Sequence, residues 1–254
     1  MIAGMVVLFL VFAAYGIITF DLSIQEMKKL QGSRNEAVAV NMIQDLDQRI
    51  ENRLSNFKEL TKIPEIQEAL IESNEKFSQL ENVNVYIISK EQGIVYKVDS
   101  EIPPFMAEVI NLRLSRELRD TIEFYRDEYN FDVVKEMYVT NAYGANIALG
   151  SGVSYYSPVE EEWWTQAKDT GIFYGKLEHH RDYDSQVMGF GFRIDDSEGN
   201  LLGVMRVLVS IEDLLADVVE EAEIVNNQNR NVVLLDDTGR IIFSNVIQDP
   251  TNTE

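Results

Sequence analysis

The chain has 254 residues, 45% of them apolar and 26% charged, enough for one large folded domain or two small ones. Its 43 acidic and 22 basic residues leave a formal net charge of −21, a surface that repels nucleic acid and anionic lipid headgroups. With no cysteine and only two histidines, disulfides and a histidine-rich metal site are excluded, and neither a metal nor a cofactor is expected.

Residues 1–20 carry no charged side chain, and the run from Ile2 to Phe20 is nearly all apolar. As a helix it would rise roughly 28 Å, the thickness of a bilayer core. A cleaved signal peptide would want a basic start and small residues at its end. Nothing basic precedes this run, and it closes on the bulky Ile17-Ile18-Thr19-Phe20. The expectation is a transmembrane helix over 1–21, with residues 2–20 in contact with membrane lipid. Lys28, Lys29 and Arg34 follow the run, so the positive-inside bias alone would put the rest of the chain in the cytoplasm.

A long stalk helix is expected next, within 22–79. Ala39, Ile43, Leu46, Ile50, Phe57 and Leu60 recur at close to a seven-residue repeat, and Arg53 falls on the remaining heptad position. The pattern suits a dimer seam or packing along the chain's own body, and a homodimer is the anticipated assembly. One helix is read over 21–72, because no proline interrupts before Pro64.

From residue 83 the period changes to two. Val83, Val85, Ile87 and Ile88 read as a strand, Lys90-Glu91-Gln92-Gly93 as a turn, and Ile94-Val95-Tyr96 as the return strand. A helical stretch follows within 101–133. Met137 to Leu149 reads as a second hairpin, turning at Asn141-Ala142-Tyr143-Gly144. Residues 159–168 read as a short helix. Two long strands, 187–194 and 201–209, are joined by the polar turn at 195–200, and 211–224 is a strongly patterned helix. The rhythm of 86–97 then recurs over 232–243, which suggests a second module beginning at 228. The fold class is α+β: a module over 80–227 of antiparallel sheet flanked by helices, then the start of another over 228–254.

The richest chemistry lies between Tyr143 and Asp184. Tyr155, Tyr156, Trp163 and Trp164 cluster together, and these are the chain's only tryptophans. Tyr174 and Asp184 follow. Aromatic rings with polar tips suit a small-ligand site, and rings plus a carboxylate suit a cationic ligand. Tyr143, Tyr156, Trp163, Trp164, Tyr174 and Asp184 are the candidate ligand contacts, with Glu161 a weaker one. The competing reading is plain core for the rings, turn capping for Asp184, and a helix-start charge cluster for Glu160-Glu161-Glu162. His179-His180 reads as a solvated loop. No phosphate loop, zinc-protease motif or nucleophile elbow is present, so no catalytic residue is assigned.

Three stretches together resemble the double Cache sensor domain. They are Val139-Thr140-Asn141-Ala142-Tyr143-Gly144-Ala145-Asn146-Ile147-Ala148, then Tyr155-Tyr156 with Glu161-Glu162-Trp163-Trp164-Thr165-Gln166-Ala167, and then Asp184-Ser185 with Phe190-Gly191-Phe192-Arg193-Ile194 and Glu198-Gly199-Asn200-Leu201-Leu202-Gly203-Val204. The resemblance covers about 22–250 and is best over 137–212. It implies an extracytoplasmic sensor with a PAS-like membrane-distal module over 80–227 and a membrane-proximal one after it. A second transmembrane helix would follow beyond residue 254, leading to a histidine kinase, chemoreceptor or cyclic-dinucleotide output. That topology sets aside the charge bias noted above. Some members bind amino acids through a tyrosine, arginine, tryptophan, tyrosine or tryptophan, and aspartate set. Tyr156, Trp163, Trp164 and Asp184 occupy comparable places here, while Glu161 stands where the carboxylate-clamping arginine would be. That reversal points to a cationic or neutral small molecule.

Overall fold

The computed structural model describes residues 2–95, 104–151, 156–226, 232–235 and 238–244, with the side chains of residues 1–18, 92–95, 104–106, 108, 221–226 and 242 outside that description. Helix α1 runs from Ile2 to Leu60. Among the described residues no helix is long and apolar enough to cross a membrane; nearly all of the apolar run 2–20 lies among the side chains not described.

The single helix expected over 21–72 is two. At the end of α1 the amides of Thr61, Lys62 and Ile63 bond to the carbonyls three residues back, and the Thr61 hydroxyl donates to the Lys58 carbonyl at 2.7 Å. Ile63 is extended (φ −64°, ψ 125°), as a residue before proline tends to be. Pro64 then opens α2, Pro64–Ser78, where its missing N–H costs nothing.

The hairpin expected over 83–96 is instead helix α3, Val83–Val95. Asn82 starts it, its Oδ1 accepting the Val85 amide at 3.0 Å. Val83, Tyr86 and Ile87 then fall on one face and pack beside Phe77. A short apolar run satisfies either period, and here the cap and the packing decide for helix. Residues 96–97 of the repeated rhythm lie outside the described residues. The later segment does form a hairpin, β7 Val233–Leu235 with β8 Ile241–Ser244.

Helices α4, Pro104–Asn111, and α5, Arg113–Tyr129, occupy the expected helical stretch. The sheet is built from β1 Val134–Asn141, β2 Asn146–Leu149, β3 Ile172–Tyr174, β4 Glu178–His180, β5 Ser185–Asp195 and β6 Leu201–Ser210. It is antiparallel with order β2-β1-β6-β5-β3, and β4 also pairs with β5. Helix α6, Glu162–Thr170, precedes β3, and α7, Glu212–Asn226, follows β6. The two long strands match the sequence reading. Asp196 makes their turn, its Oδ1 accepting the amides of Glu198 and Asn200 at 2.8 Å each.

Both faces of the central strands are covered. On one face Phe57 of α1, Ile66 and Leu70 of α2, and Leu114 and Leu118 of α5 pack on Val139, Met205, Val207 and Phe190. On the other, α3 and α6 pack on Tyr138 and Val204. A third cluster joins Leu46 of α1 to Leu214, Leu215 and Val218 of α7. The stalk stripe is thus divided. Leu46 is buried against the chain's own body, and ahead of it Ala39 and Ile43 border a groove shared with Leu215, Val218 and Phe243, with Ile43 still 51% exposed.

Arg53, the charged residue on that stripe, is 5% exposed and forms a bidentate pair with Asp213 of α7 at 3.1 and 2.6 Å. It also donates to the Ser210 carbonyl at 3.4 Å and lies over the Tyr129 ring at 4.7 Å. Arg53→Met strands Asp213 nearly buried and unpaired, and should cost about 3 kcal/mol. Replacing both partners with apolar residues should recover most of that loss; urea unfolding of the full chain measures each step.

Candidate functional site

Helix α6 carries both tryptophans, and Trp163, Trp164 and Ala167 form its buried face. Gly171 ends the helix in the left-handed region (φ 92°), turning the chain directly into edge strand β3. The helix can approach the sheet because Gly191 of β5 lies beneath it. A Cβ there would stand 2.9 Å from Ala167 Cβ and 3.3 Å from Trp163 Cε3.

Adjacent on the helix, the two tryptophans have different surroundings. Trp164 donates its indole N–H to Thr140 Oγ1 at 2.9 Å inside the core, with Lys168 Nζ 5.1 Å from its ring. Trp163 meets Tyr138 edge-on at 5.8 Å and carries the Arg206 guanidinium over its ring at 4.7 Å.

Beside Trp163 lies a cavity of about 480 Å³, partly open to solvent. Arg206 of β6 and Gly189 of β5 come from the sheet floor, and Trp163, Gln166 and Phe173 form its walls. Glu161, Glu162, Tyr174, Gly175, Lys176 and Glu178 complete it toward the mouth. Gly189 leaves room for the guanidinium, since a Cβ there would come 3.2 Å from Arg206 Nη2.

Of the seven candidates, the cavity gathers Glu161, Trp163 and Tyr174. Glu161 sits exposed just before α6, and Tyr174 is 51% exposed at the sheet edge, its ring edge-on to Phe190. Tyr156 and Trp164 are packed in the core of this face, and Tyr143 lies half-buried against it, stacked on Phe77 at 5.7 Å. Burial, and then the nearby Tyr86 hydroxyl, push the Tyr156 hydroxyl above the ordinary tyrosine range. The amides of Tyr156 and Ser157 donate to the Glu91 carboxylate of α3 at 2.7 and 3.1 Å. Asp184 lies elsewhere, in the turn before β5, with φ 45° and a side chain 92% exposed, 3.3 Å from His179 Nε2.

His179 and His180, read as a solvated loop, lie half-buried on β4, and His180 packs on the Tyr183 ring at 4.7 Å. Among the described residues no three histidine, cysteine, aspartate or glutamate side chains are grouped to hold a metal ion.

The sequence reading missed Arg206. Its signal is a single charge in the otherwise apolar run from Leu201 to Val209, opposite Gly189-Phe190-Gly191.

No family model matches the chain, and no curated protein matches it in sequence. Solved structures are similar at low identity. One is the ligand-binding domain of Campylobacter jejuni chemoreceptor Tlp3 in complex with 4-methylisoleucine, with TM-score 0.36 and 16% identity over 76% of this chain and 70% of that one. Another is the ligand-binding domain of the Pseudomonas aeruginosa amino acid chemoreceptor PctC in complex with GABA, with TM-score 0.35 and 15% identity over 76% and 75% of the two chains. A third is the periplasmic domain of RsbU from Chlamydia trachomatis, with TM-score 0.38 and 16% identity over 76% and 66%. All three likenesses are weak.

Trp164→Phe removes the buried indole bond to Thr140, and should cost about 1–2 kcal/mol in urea unfolding. Gly191→Ala should lower stability by a similar or larger amount, because α6 must lift from the sheet, and should red-shift the Trp163 emission.

Proposed function

We propose that the chain is the ligand-sensing input part of a membrane-anchored receptor, with its α+β body outside the cytoplasm and an anchor over residues 2–20. The observation that carries this reading is the cavity beside Trp163: aromatic walls, a few polar groups, and a size suited to a small molecule. The anchor rests on the uncharged apolar run at the N-terminus, and the placement on the sequence resemblance to double Cache sensors. A small molecule is the partner. The expectation of a cationic or neutral one rested on Glu161 in the clamp position. Glu161 is exposed at the cavity, and the basic group from the sheet beside it is Arg206.

The connections between cavity and stalk support a relay. Strand β6 contributes Arg206 to the cavity and ends at Ser210, whose carbonyl meets Arg53 of the stalk helix. The paired Asp213 is three residues further on. A ligand that binds two positions of β6 with unequal affinity would therefore bias α1 through a short, charged contact. The output of the receptor would be a histidine kinase or chemoreceptor domain, as the resemblance implies.

A second reading has its own support. Tyr156 and Trp164 are core residues, and Val40 and Ile43 stay exposed on the stalk, as in a homodimerising module that takes no ligand. A melting-point screen of the full chain in nanodiscs against amines, amino acids, carboxylates and purines separates the two. The sensor reading expects one class to raise the melting point by several degrees. It also expects Gln166→Trp, placed on the cavity wall, to abolish that shift while leaving the ligand-free melting point nearly unchanged. No shift in any class would leave the dimerisation reading.

A further inference from the structure

We infer that Arg206 is an anion anchor, and that the ligand of the α6 cavity presents a carboxylate to it. This deepens the sensory reading and rests on it.

The observation is a cation without a counterion in a chain of net charge −21. Arg206 stands in the middle of β6, between Tyr138 of β1 and Gly191 of β5. Its Nε is buried with no hydrogen-bond partner, and among the described residues no carboxylate lies within ion-pair distance. The other part-buried arginines are provided for. Arg53 has Asp213, Arg49 has Asp45, Arg193 has Asp195, and Arg119 has the carbonyls of Leu149 and Ile110. Glu136, on the same face of β1, takes the Tyr183 hydroxyl at 3.0 Å instead of reaching Arg206.

What Arg206 has is a ring and a space. The guanidinium lies over the Trp163 ring, 4.7 Å from its centre, a contact that does not use its N–H groups. Gly189, also lining the cavity, leaves the neighbouring floor open, where any side chain would press on Nη2. A guanidinium held against an aromatic ring, with Nη2 beside the cavity-lining Gly189, matches a carboxylate in both geometry and charge. Leaving the guanidinium charge uncompensated costs stability, and an anion at its terminal N–H groups in the cavity removes that cost.

The opposing charges are Glu161, Glu162 and Glu178, with Lys176 among them. Glu161, Glu162 and Glu178 are exposed, so water and salt screen them over about 8 Å at physiological ionic strength. An anion in contact with Arg206 meets its partner at shorter range and in a drier setting, so the contact prevails over the rim. The acidic mouth then favours ligands whose far end is neutral or positive, and disfavours a second exposed anionic group.

The test uses matched pairs: acetate, phenylacetate and 4-aminobutyrate against their amides, titrated into the full chain in nanodiscs while tryptophan emission is followed. At least one carboxylate should saturate the emission change, with its amide at least tenfold weaker. Arg206→Gln should weaken that carboxylate at least tenfold and leave the amide unchanged, and Arg206→Lys should fall between, with circular dichroism confirming the fold of each variant. Should Arg206→Gln fail to fold, the amide comparison and Arg206→Lys still decide. If amide and carboxylate bind alike, or if purines or amines saturate the site and Arg206→Gln binds them as well as the parent chain does, the anion assignment falls and the sensory reading stands. If no compound of any class binds, both fall.

Discussion

The structure depends on burying the central strands β1, β6 and β5 from both sides at once. Stalk helix α1, with α2 and α5, covers one face, and α3 and α6 cover the other. A sheet enclosed in this way has little tolerance for polar groups, because each must be paired or must open onto solvent. Thr140 is used by the Trp164 indole, and Ser185 and Ser210 satisfy each other at 2.8 Å. Arg206 is the charge that the same rule leaves unsettled, and it lies where the cover of α6 gives way to a cavity.

Arg53 and Arg206 contrast in how their charges are provided for. Arg53 is fixed by two oxygens of Asp213, a backbone carbonyl and the Tyr129 ring. That arrangement locks α1 to α7 and leaves nothing for a ligand to add. Arg206 has the ring without the oxygens. Both charges lie on or against the single strand β6.

Much of the fold was legible where pattern and turn chemistry agree. The strands at 187–194 and 201–209 have β-branched and aromatic residues and a polar turn with Asp196 and Gly199, and they appear in place. Segment 83–95 was misread because its apolar residues satisfy either period. What decides it is the Asn82 cap and the contact with Phe77, and the second of these is tertiary. The break at 61–63 was signalled by Pro64 but outweighed by the heptad stripe. The stripe itself is split by Arg53, whose partner is 160 residues away and invisible to any local window.

The site was legible in part. Of the adjacent tryptophans, Trp164 is held in the core and Trp163 reaches the cavity. Nothing local distinguishes which is which, because the distinction comes from Thr140 on β1 and Arg206 on β6. Asp184 was placed by comparison of motifs, and its left-handed turn keeps it at the surface. Arg206 could have been suspected from its isolation in an apolar strand, although only the sheet register brings it opposite Gly191 and beneath Trp163. The most direct measurement of the central claim is an ¹⁵N-indole spectrum of the full chain, which has only these two tryptophans. On adding the carboxylate that saturates the emission change, the account predicts that the Trp163 signal moves in a saturable way while the Trp164 signal, held by Thr140, stays. Two unmoved signals, or two that move together, would contradict it.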